Sequence, residues 1–212
     1  IISGSIVLYN NKIKQIKKVI NSFLNTNLKV KLYLIDNSSN DDLKELENID
    51  NRIKYIFNNA NLGYGKAHNI AMRKSIENNT SYHIVLNPDI YFENDVIEKL
   101  YNYMEENQEI GNIIPQVLYP DGEIQYLTKL LPTPIDLIFR RFIPLKSWKD
   151  KRNKKFELKF TGYKDINNIP SLSGCFMFLR ADTLKDVGLF DENIFMYLED
   201  TDLNRRIHSK YK

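Results

Sequence analysis

The chain has few of the features that mark secreted, membrane-spanning or nucleic-acid-binding proteins. It has one cysteine, Cys175, in 212 residues, so it can form no internal disulfide, which favours a reducing compartment. No apolar run approaches the roughly 18–20 residues of a membrane-spanning helix. The first residues also lack the basic-then-apolar layout of a signal peptide. A formal net charge of +3 is too weak to indicate nucleic acid. We therefore expect a cytoplasmic protein that binds no nucleic acid.

The remaining composition is that of an ordinary folded domain. Hydrophobic residues make up 42% of the chain and charged residues 27%, which argues against global disorder. The length suits one sizeable domain and is too short for two comfortable ones. We expect a single domain over residues 1–212.

The first half alternates apolar strand patterns with helical periodicity. Strands are predicted at 5–9, 30–35, 53–57 and 82–86, and helices at 12–25, 41–48, 65–78 and 93–107. Right-handed crossovers then give an α/β fold, with a mainly parallel sheet and helices on both faces. Ligands of such sheets bind outside the carboxyl ends of the strands.

The second half is less regular. The predicted elements there are short strands at 111–118 and 123–127 around a turn, an apolar strand at 171–180, and helices at 181–187 and 199–210. Residues 132–155 do not continue the alternation of strand and helix patterns. This half therefore predicts a smaller, irregular region beside the sheet.

Polar residues follow two of the predicted strands in the first half. Asp36 could accept the imide N–H of a uracil or thymine ring, or it could be a turn or capping residue. The segment Asn61–Asn69 has two glycines, which allow the backbone close to a ligand. The helix after it offers N–H groups to phosphate, and Lys66 could add charge. A tight strand-to-helix turn is the alternative, and the spacing matches neither a P-loop nor GxGxxG.

Acidic residues form two further candidate sites. Asp89, in Asn87-Pro88-Asp89, lies at a predicted strand tip, where a carboxylate can ligate a divalent ion that also holds a diphosphate. A solvated turn is the alternative reading of this triplet. Glu199, Asp200 and Asp202 open a predicted helix, which suits the helix dipole. Beside apolar aromatics they also make a site for a general base with a raised pKa.

In combination these segments indicate a family. The chain reads IVLYN, LIDNSS, NLGYGKAHN, VLNPDI, GCFMFLRADTLKDVGLFDE and FMYLEDTDLNRRI in order. This series resembles the family 2 glycosyltransferases of the GT-A fold, most closely the rhamnosyltransferase-like branch that builds bacterial surface polysaccharides. The resemblance covers nearly the whole chain. It implies a nucleotide-sugar-binding half over 1–110 and an acceptor-side half over 111–212, which we expect to be shortened at its C-terminus.

The resemblance also implies roles for individual residues. Asp89 matches the family's ligand for Mg²⁺ or Mn²⁺, and Glu199-Asp200 matches its catalytic pair, with Asp200 as the base. Arg205 and Arg206 match the basic end of the same helix, where they are structural or face phosphate. The residues expected at the donor are Asp36, Asn61, Gly63, Lys66, Asn69, Asn87, Asp89 and Gly174.

The activity implied is that of an inverting glycosyltransferase. It would move a sugar, rhamnose by the resemblance, from a dTDP- or UDP-sugar to a glycan or lipid-linked acceptor. One departure is Asn87, which stands where the family's DxD motif has its first acid. A degenerate nucleotide-sugar-binding module without catalysis therefore stays open. A nucleotidyltransferase is disfavoured, because residues 1–20 contain neither a glycine-rich loop nor an arginine.

The segment 135–155 carries a separate hypothesis. Ile135, Ile138, Phe139 and Phe142 share one helical face, and a basic run follows. An apolar face with cations suits peripheral contact with the inner face of the plasma membrane. A helix packed on its own domain, followed by a solvated charged loop, is the alternative.

Overall fold

A computed structural model describes residues 1–131, 156–163 and 165–212 of the protein. Its eight described strands are β1 (Ile2–Leu8), β2 (Val30–Asp36), β3 (Ile53–Phe57), β4 (Tyr82–Leu86), β5 (Asn112–Ile113), β6 (Thr128–Lys129), β7 (Ser171–Leu172) and β8 (Phe176–Arg180). Six of them form one sheet in the order β3-β2-β1-β4-β8-β5, and β6 pairs with β7 in a second, two-stranded sheet.

The first four strands form the parallel part of the main sheet, as the sequence predicts. β1 pairs in parallel with β2 and β4, and β2 pairs in parallel with β3. Leu8 lies opposite Asp36, which lies opposite Phe57, so three strands end at nearly the same level. The polar residues that follow these strands therefore share one edge of the sheet.

Helices cover both faces of this sheet. The described α-helices are α1 (Ile13–Leu24), α2 (Tyr64–Glu77), α3 (Val96–Glu106), α4 (Ala181–Val187) and α5 (Glu199–His208). α1 and α3 pack on one face, and α2, α4 and α5 pack on the other. In α1 the buried residues Ile16, Val19, Ile20 and Phe23 follow the spacing of a single helical face. Full burial of each such side chain contributes roughly 1.5–3 kcal/mol.

One predicted helix of the first half takes a different form. The segment predicted as a helix at 41–48 is a 3₁₀-helix at Lys44–Ile49. A backbone hydrogen bond from Lys44 N–H to the carbonyl oxygen of Asp41, at 2.9 Å, forms the tight turn before it. Such i to i+3 bonds are typical of short connectors, and β3 begins only four residues after this helix ends.

The second half extends the same sheet with antiparallel strands. β8 pairs antiparallel with β4 and with β5. The predicted strand at 171–180 is two strands, β7 and β8, because residues 173–175 lie outside both ladders. The predicted strands at 111–118 and 123–127 shrink to β5 and an isolated bridge between Leu118 and Ile124. Pro115, two residues after the end of β5, has no N–H for a longer ladder.

No described helix is both long enough and apolar enough to cross a bilayer. The segment 135–155, for which membrane contact is hypothesised, lies outside the described residues. That hypothesis therefore stays a prediction.

Candidate active site

The turn before α2 forms one wall of the candidate site. Gly63 has a backbone φ of +83° and ψ of 175°, a conformation that is accessible essentially only to glycine. A Cβ at this position would lie 2.2 Å from the carbonyl oxygen of Phe195. The same carbonyl accepts a hydrogen bond from Tyr64 N–H at 3.1 Å. The turn therefore holds the loop that leads to α5 against the start of α2.

Tyr64 projects its side chain into the centre of the site. Its hydroxyl donates to the carbonyl oxygen of Gly174 at 2.6 Å and lies 3.1 Å from Oδ1 of Asn87. Its ring packs edge-on against His68, with ring centres 4.4 Å apart. Burial raises the pKa of Tyr64 well above its ordinary value, and the charges of Cys175, Asp200, Glu199 and Asp89 raise it further. Four ionisable groups from three segments therefore surround one phenol.

Gly174 lies between Tyr64 and Asp200. Its N–H donates to Oδ2 of Asp200 at 2.8 Å, while its carbonyl accepts from Tyr64. A Cβ on Gly174 would come within 3.3 Å of Cβ of Asp200 and 3.5 Å of Cε1 of Tyr64. A side chain at this position would have to displace Asp200 slightly, so glycine keeps the Asp200 carboxylate close to the 173–175 turn.

The two acids at the start of α5 differ in access. Glu199 is only 6% exposed, and its Oε2 has no hydrogen-bond partner among the described residues. Burial raises the pKa of Glu199, and the neighbouring charge of Asp200 adds to this effect. Asp200 is half-buried, and its Oδ1 accepts from Thr201 N–H at 2.7 Å. Asp200 is therefore the acid of the pair that a ligand can reach.

Asp89 lies beyond the end of β4 and faces solvent. Its charge contributes to the raised pKa of Cys175, after burial of that thiol, and so does the charge of Asp200. The charges of Asp89 and Asp200 therefore both act on the Cys175 thiol. Their assignment to one active site stays a prediction. The backbone N–H of Asn87 is bonded to the carbonyl oxygen of Cys175 at 2.9 Å, which links the β4 end to the 173–175 turn.

The donor set of Asp89 suits a hard divalent cation held jointly with a ligand. Across residues 1–131, 156–163 and 165–212, no cationic side chain pairs with Asp89, and no cluster of three or more acids, histidines or cysteines could hold a metal alone. Mg²⁺ is commonly bound by one or two carboxylates together with substrate phosphates and waters. A single exposed carboxylate at a strand end fits this mode of binding.

Asp36 lies at the predicted rim position, but its carboxylate is engaged within the protein. The residue is 0% exposed. Its Oδ1 accepts from Ser38 N–H at 2.8 Å, and its Oδ2 accepts from the Tyr55 hydroxyl at 2.6 Å. Burial and this bond to Asp36 raise the pKa of Tyr55. Because Asp36 is fully buried, a nucleobase could reach its carboxylate only after neighbouring residues move. The assignment of Asp36 to base binding therefore stays a prediction.

The other predicted donor residues divide into exposed and internal ones. Asn61 and Lys66 are exposed at the rim, although Oδ1 of Asn61 accepts from Gly63 N–H at 3.1 Å. Asn69 is buried, and its side chain bonds to both backbone polar atoms of Phe190 at 2.9 and 3.1 Å. The structure thus brings Asn61 and Lys66 to the rim, whereas Asn69 holds the 189–192 loop.

The arginines at the end of α5 make polar contacts within the protein. The Arg206 guanidinium donates to the carbonyl oxygens of Val187 and Leu189 at 2.6 and 2.7 Å and pairs with Asp202 at 2.8 Å. Arg205 pairs with the other oxygen of Asp202 at 3.5 Å. Of the two readings offered by the sequence, these contacts favour anchoring of α5 over contact with phosphate.

Large apolar side chains are exposed immediately before the acids of α5. Phe195, Met196, Tyr197 and Leu198 each expose about half or more of their surface. Tyr197 and Leu198 also have left-handed backbone conformations, with φ of +68° and +70°, which cost of order 1–3 kcal/mol each in such residues. A strained, exposed apolar run beside Asp200 is typical of a ligand-contacting segment. The sequence shows the residues, but their exposure was not predicted.

A buried polar chain runs behind the site and was also missed from the sequence. The Ser5 hydroxyl lies 2.7 Å from Nδ1 of His68 and 2.8 Å from Nε2 of His83. Ser3 and Ser75 bond to Nδ1 of His83 at 2.8 and 2.7 Å. Burial lowers the pKa of His83 to about 3, and it also lowers the pKa of His68. Both imidazoles are therefore neutral at physiological pH.

A separate cavity of about 750 Å³ opens at the β5 edge of the sheet, between α3 and the 163–172 segment. Leu100, Ile113 and Tyr163 are among the residues that line it, and none of the candidate site residues does. Size alone therefore does not identify the site, which is defined by its acids at the strand ends.

A mainly parallel sheet with acids at its carboxyl edge and an antiparallel extension defines an α/β domain of the GT-A type. The family described as Glycosyl transferase family 2 matches residues 5–188. The chain belongs to this family.

A curated relative points to one branch of the family. The chain is 28% identical, over 204 aligned residues, to the N-acetylglucosaminyl-diphospho-decaprenol L-rhamnosyltransferase of Mycobacterium tuberculosis. The alignment covers 87% of this chain and 62% of that protein. The chain therefore spans somewhat less than two thirds of the relative's length.

Solved structures support the fold. A mannosyltransferase from Pyrobaculum calidifontis in complex with GDP-Man and Mn²⁺ superposes with a TM-score of 0.65 and 12% identity, covering 100% of this chain and 53% of that one. GalNAc-T7 with UDP, GalNAc and Mn²⁺ gives a TM-score of 0.69 and 17% identity, covering 97% and 39%. S. aureus TarS 1-349 in complex with UDP-GlcNAc gives 0.63 and 16%, covering 98% and 53%. These similarities confirm the predicted fold class.

Proposed function

We propose that this chain carries the active site of an inverting glycosyltransferase, which moves a sugar from a dTDP- or UDP-sugar to a glycan or lipid-linked acceptor. The observation that carries this proposal is the placement of Asp200. Its accessible carboxylate is held by the Gly174 N–H at 2.8 Å and shares its surroundings with Asp89. Displacement of a nucleoside diphosphate requires a base for the acceptor hydroxyl and an acid near the diphosphate. Asp200 and Asp89 would supply them.

The reaction follows from this arrangement. Asp200 accepts the proton of an acceptor hydroxyl while the oxygen bonds to the anomeric carbon of the donor. The bond from that carbon to the diphosphate breaks, and the nucleoside diphosphate leaves from the opposite face of the sugar. Configuration at the carbon is therefore inverted, and no covalent enzyme intermediate is needed. General-base assistance of this kind contributes about 10²–10⁴-fold in rate.

Asp89 is the residue that would hold a divalent cation, Mg²⁺ or Mn²⁺. Such an ion supplies positive charge that stabilises the departing diphosphate. Two features support the assignment: the exposed Asp89 carboxylate, which has no cationic partner in the described parts of the chain, and the Mn²⁺ bound in two similar structures. In the same scheme Asp36 would contact a uracil or thymine base, and Asn61, Gly63, Lys66, Asn87 and Gly174 would line the donor. The buried Asn69 would act only through the 189–192 loop that it holds.

The acceptor side rests on a second set of observations. An acceptor hydroxyl has to come within hydrogen-bonding reach of Asp200, and the exposed run Phe195–Leu198 lies directly before that residue. The relative's name includes a rhamnosyl transfer and a diphospho-decaprenol acceptor. We infer that rhamnose is the transferred sugar and that the acceptor is lipid-linked, which would place the enzyme at the inner face of the plasma membrane.

The proposal is tested by thermal unfolding of the chain with dTDP, UDP, GDP or ADP, each with and without Mn²⁺. A ligand at 100 times its dissociation constant stabilises a fold by about 2.7 kcal/mol. We expect a Mn²⁺-dependent shift with dTDP or UDP that is lost in Asp89→Ala. The matched control is Glu93→Gln, which alters another exposed acid beyond β4 and should keep the shift. Equal shifts in wild type and Asp89→Ala, or none with any nucleotide, would contradict the proposal.

A further inference from the structure

Tyr64 connects parts of the candidate site that come from distant points of the chain. Asn87 follows β4, Gly174 lies between β7 and β8, and Asp200 opens α5. Their polar atoms form one series with Tyr64: 3.1 Å from Asn87 Oδ1 to the phenol oxygen, 2.6 Å from there to Gly174 O, and 2.8 Å from Gly174 N to Asp200 Oδ2. Each link is within hydrogen-bonding distance.

The Tyr64 hydroxyl can donate to only one of the two acceptor oxygens near it, Asn87 Oδ1 and Gly174 O. A tyrosine hydroxyl has one donor hydrogen, and the contact with Gly174 is the shorter one. Gly174 is thus held from both sides, with its carbonyl on Tyr64 and its N–H on Asp200. Because Gly174 is hydrogen-bonded to both side chains, a shift of Tyr64 would be transmitted to Asp200 through these bonds.

The backbone of Tyr64 also contacts the segment that leads to Asp200. Its N–H bonds to the carbonyl oxygen of Phe195 at 3.1 Å, at the beginning of the segment that leads into α5. The ring is fixed as well, because it contacts His68 and Phe190 edge-on with ring centres 4.4 and 6.2 Å apart. The phenol therefore has little freedom to turn away from Gly174.

We propose that Tyr64 is a positioning residue that fixes Gly174, and through it the base, Asp200. The end of β4 is tied to the same turn by the bond from Asn87 N–H to the Cys175 carbonyl oxygen at 2.9 Å. This inference rests on the proposed function. A displacement of about 1 Å at a reacting group can cost on the order of 10²-fold in rate. The phenol need not touch either substrate to have this effect.

The kinetic test is Tyr64→Phe, which removes one oxygen and keeps the ring contacts. We expect kcat to fall about 10–100-fold while KM for the sugar nucleotide stays within about threefold, because only placement of the base is lost. The matched control is Tyr82→Phe. Tyr82 is a buried tyrosine that, like Tyr64, has a bonded hydroxyl; this hydroxyl lies 3.0 Å from Nη1 of Arg180 at the opposite end of β4. This control should keep kcat.

A second measurement needs no turnover. The chain has eight glycines, so ¹⁵N-glycine labelling gives a small set of amide signals that includes Gly174. We expect the Gly174 amide to exchange with solvent at least about tenfold faster in Tyr64→Phe, because its local opening becomes easier. Tyr82→Phe should leave that rate unchanged.

The two measurements separate the possible failures. Unchanged exchange at Gly174 would overturn the positioning role whether or not the enzyme is active. Faster exchange with an unchanged kcat would overturn it as well, and so would a rise in KM at constant kcat. A wild-type chain that turns over no donor would instead overturn the proposed function, and this is established before the variants are compared.

Discussion

The two sides of the candidate site are built in different ways. We use the name donor rim for three polar residues at the ends of parallel strands, Asp36, Asn87 and Asp89. Sheet topology alone brings them together. The base side, defined here as Gly174, Glu199 and Asp200, comes from an interrupted strand and a helix start. Hydrogen bonds to Tyr64 and between Gly174 and Asp200 place it.

This difference teaches which side depends on single contacts. A strand end on the rim is held by a whole ladder, with seven residue pairs between β1 and β2 alone. The 173–175 turn lies outside such a ladder and is held by a few polar contacts. Conservative substitutions should therefore alter geometry more easily on the base side, whereas the rim should respond mainly through the chemistry of the substituted group.

The largest effect should come from Asp200→Asn, which removes the proton acceptor while keeping the shape of the side chain. We expect kcat to fall about 10²–10⁴-fold, the usual contribution of a general base. Donor binding should persist, because the rim is intact. Steady-state turnover and nucleotide-induced thermal shifts measure the two quantities on the same samples.

The control for this change is Asp202→Asn on the same helix. Asp202 pairs with Arg206 and Arg205, so its loss should lower stability and leave kcat intact. If Asp200→Asn kept full turnover, the base would lie elsewhere. If wild type bound the donor without releasing product, the binding-module alternative would be favoured.

The second-largest effect is expected at Gly63, which lies against the segment that leads into α5. Gly63→Ala should destabilise the protein by at least about 3 kcal/mol, because the backbone conformation excludes a side chain and the new Cβ would meet the Phe195 carbonyl. Gly122→Ala is the matched control: it also has positive φ, +88°, but nothing lies within 4 Å of its Cβ. Strain alone should cost it about 1–2 kcal/mol. Equal losses in chemical denaturation would show that the Phe195 contact is unimportant.

The sequence predicted the strand ends on which the proposed donor rim lies, because strand periodicity and topology determine them. The four parallel strands, their shared edge and the helices on both faces all follow from the spacing of apolar residues. The partners of Asp36 could not be predicted in the same way. Tyr55 reaches it from the neighbouring strand, and neither periodicity nor turn chemistry specifies which cross-strand side chain will bury a carboxylate.

The base side was less predictable for a physical reason. Residues 175–179 are continuously apolar and Leu172 precedes them, so the pattern favours one strand over 171–180 with Gly174 inside it. The interruption at Gly174 arises from bonds to Tyr64 and Asp200, which lie 110 and 26 residues away along the chain. Tyr64 itself sits between two glycines, a pattern that indicates a turn but gives no sign of a partner. Such long-range polar contacts leave no local pattern.

The smallest effect expected concerns the buried chain of Ser5, His68 and His83, polar groups that the apolar pattern of the regular half does not explain. Burial lowers the pKa of His83 to about 3, so below pH 6.5 the unfolded chain binds protons that the folded chain does not. Stability from neutral His83 is fully present above pH 6.5 and is lost as pH falls toward 3. The loss between pH 7 and 5 should be about 2 kcal/mol for this one histidine.

His83→Gln should remove that part of the slope of unfolding free energy against pH, although its stability at pH 7 will be lower. His208→Gln, which removes a ring outside the buried chain, measures the contribution of a histidine that solvent can reach. An unchanged slope in His83→Gln would mean that this part of the acid sensitivity arises elsewhere.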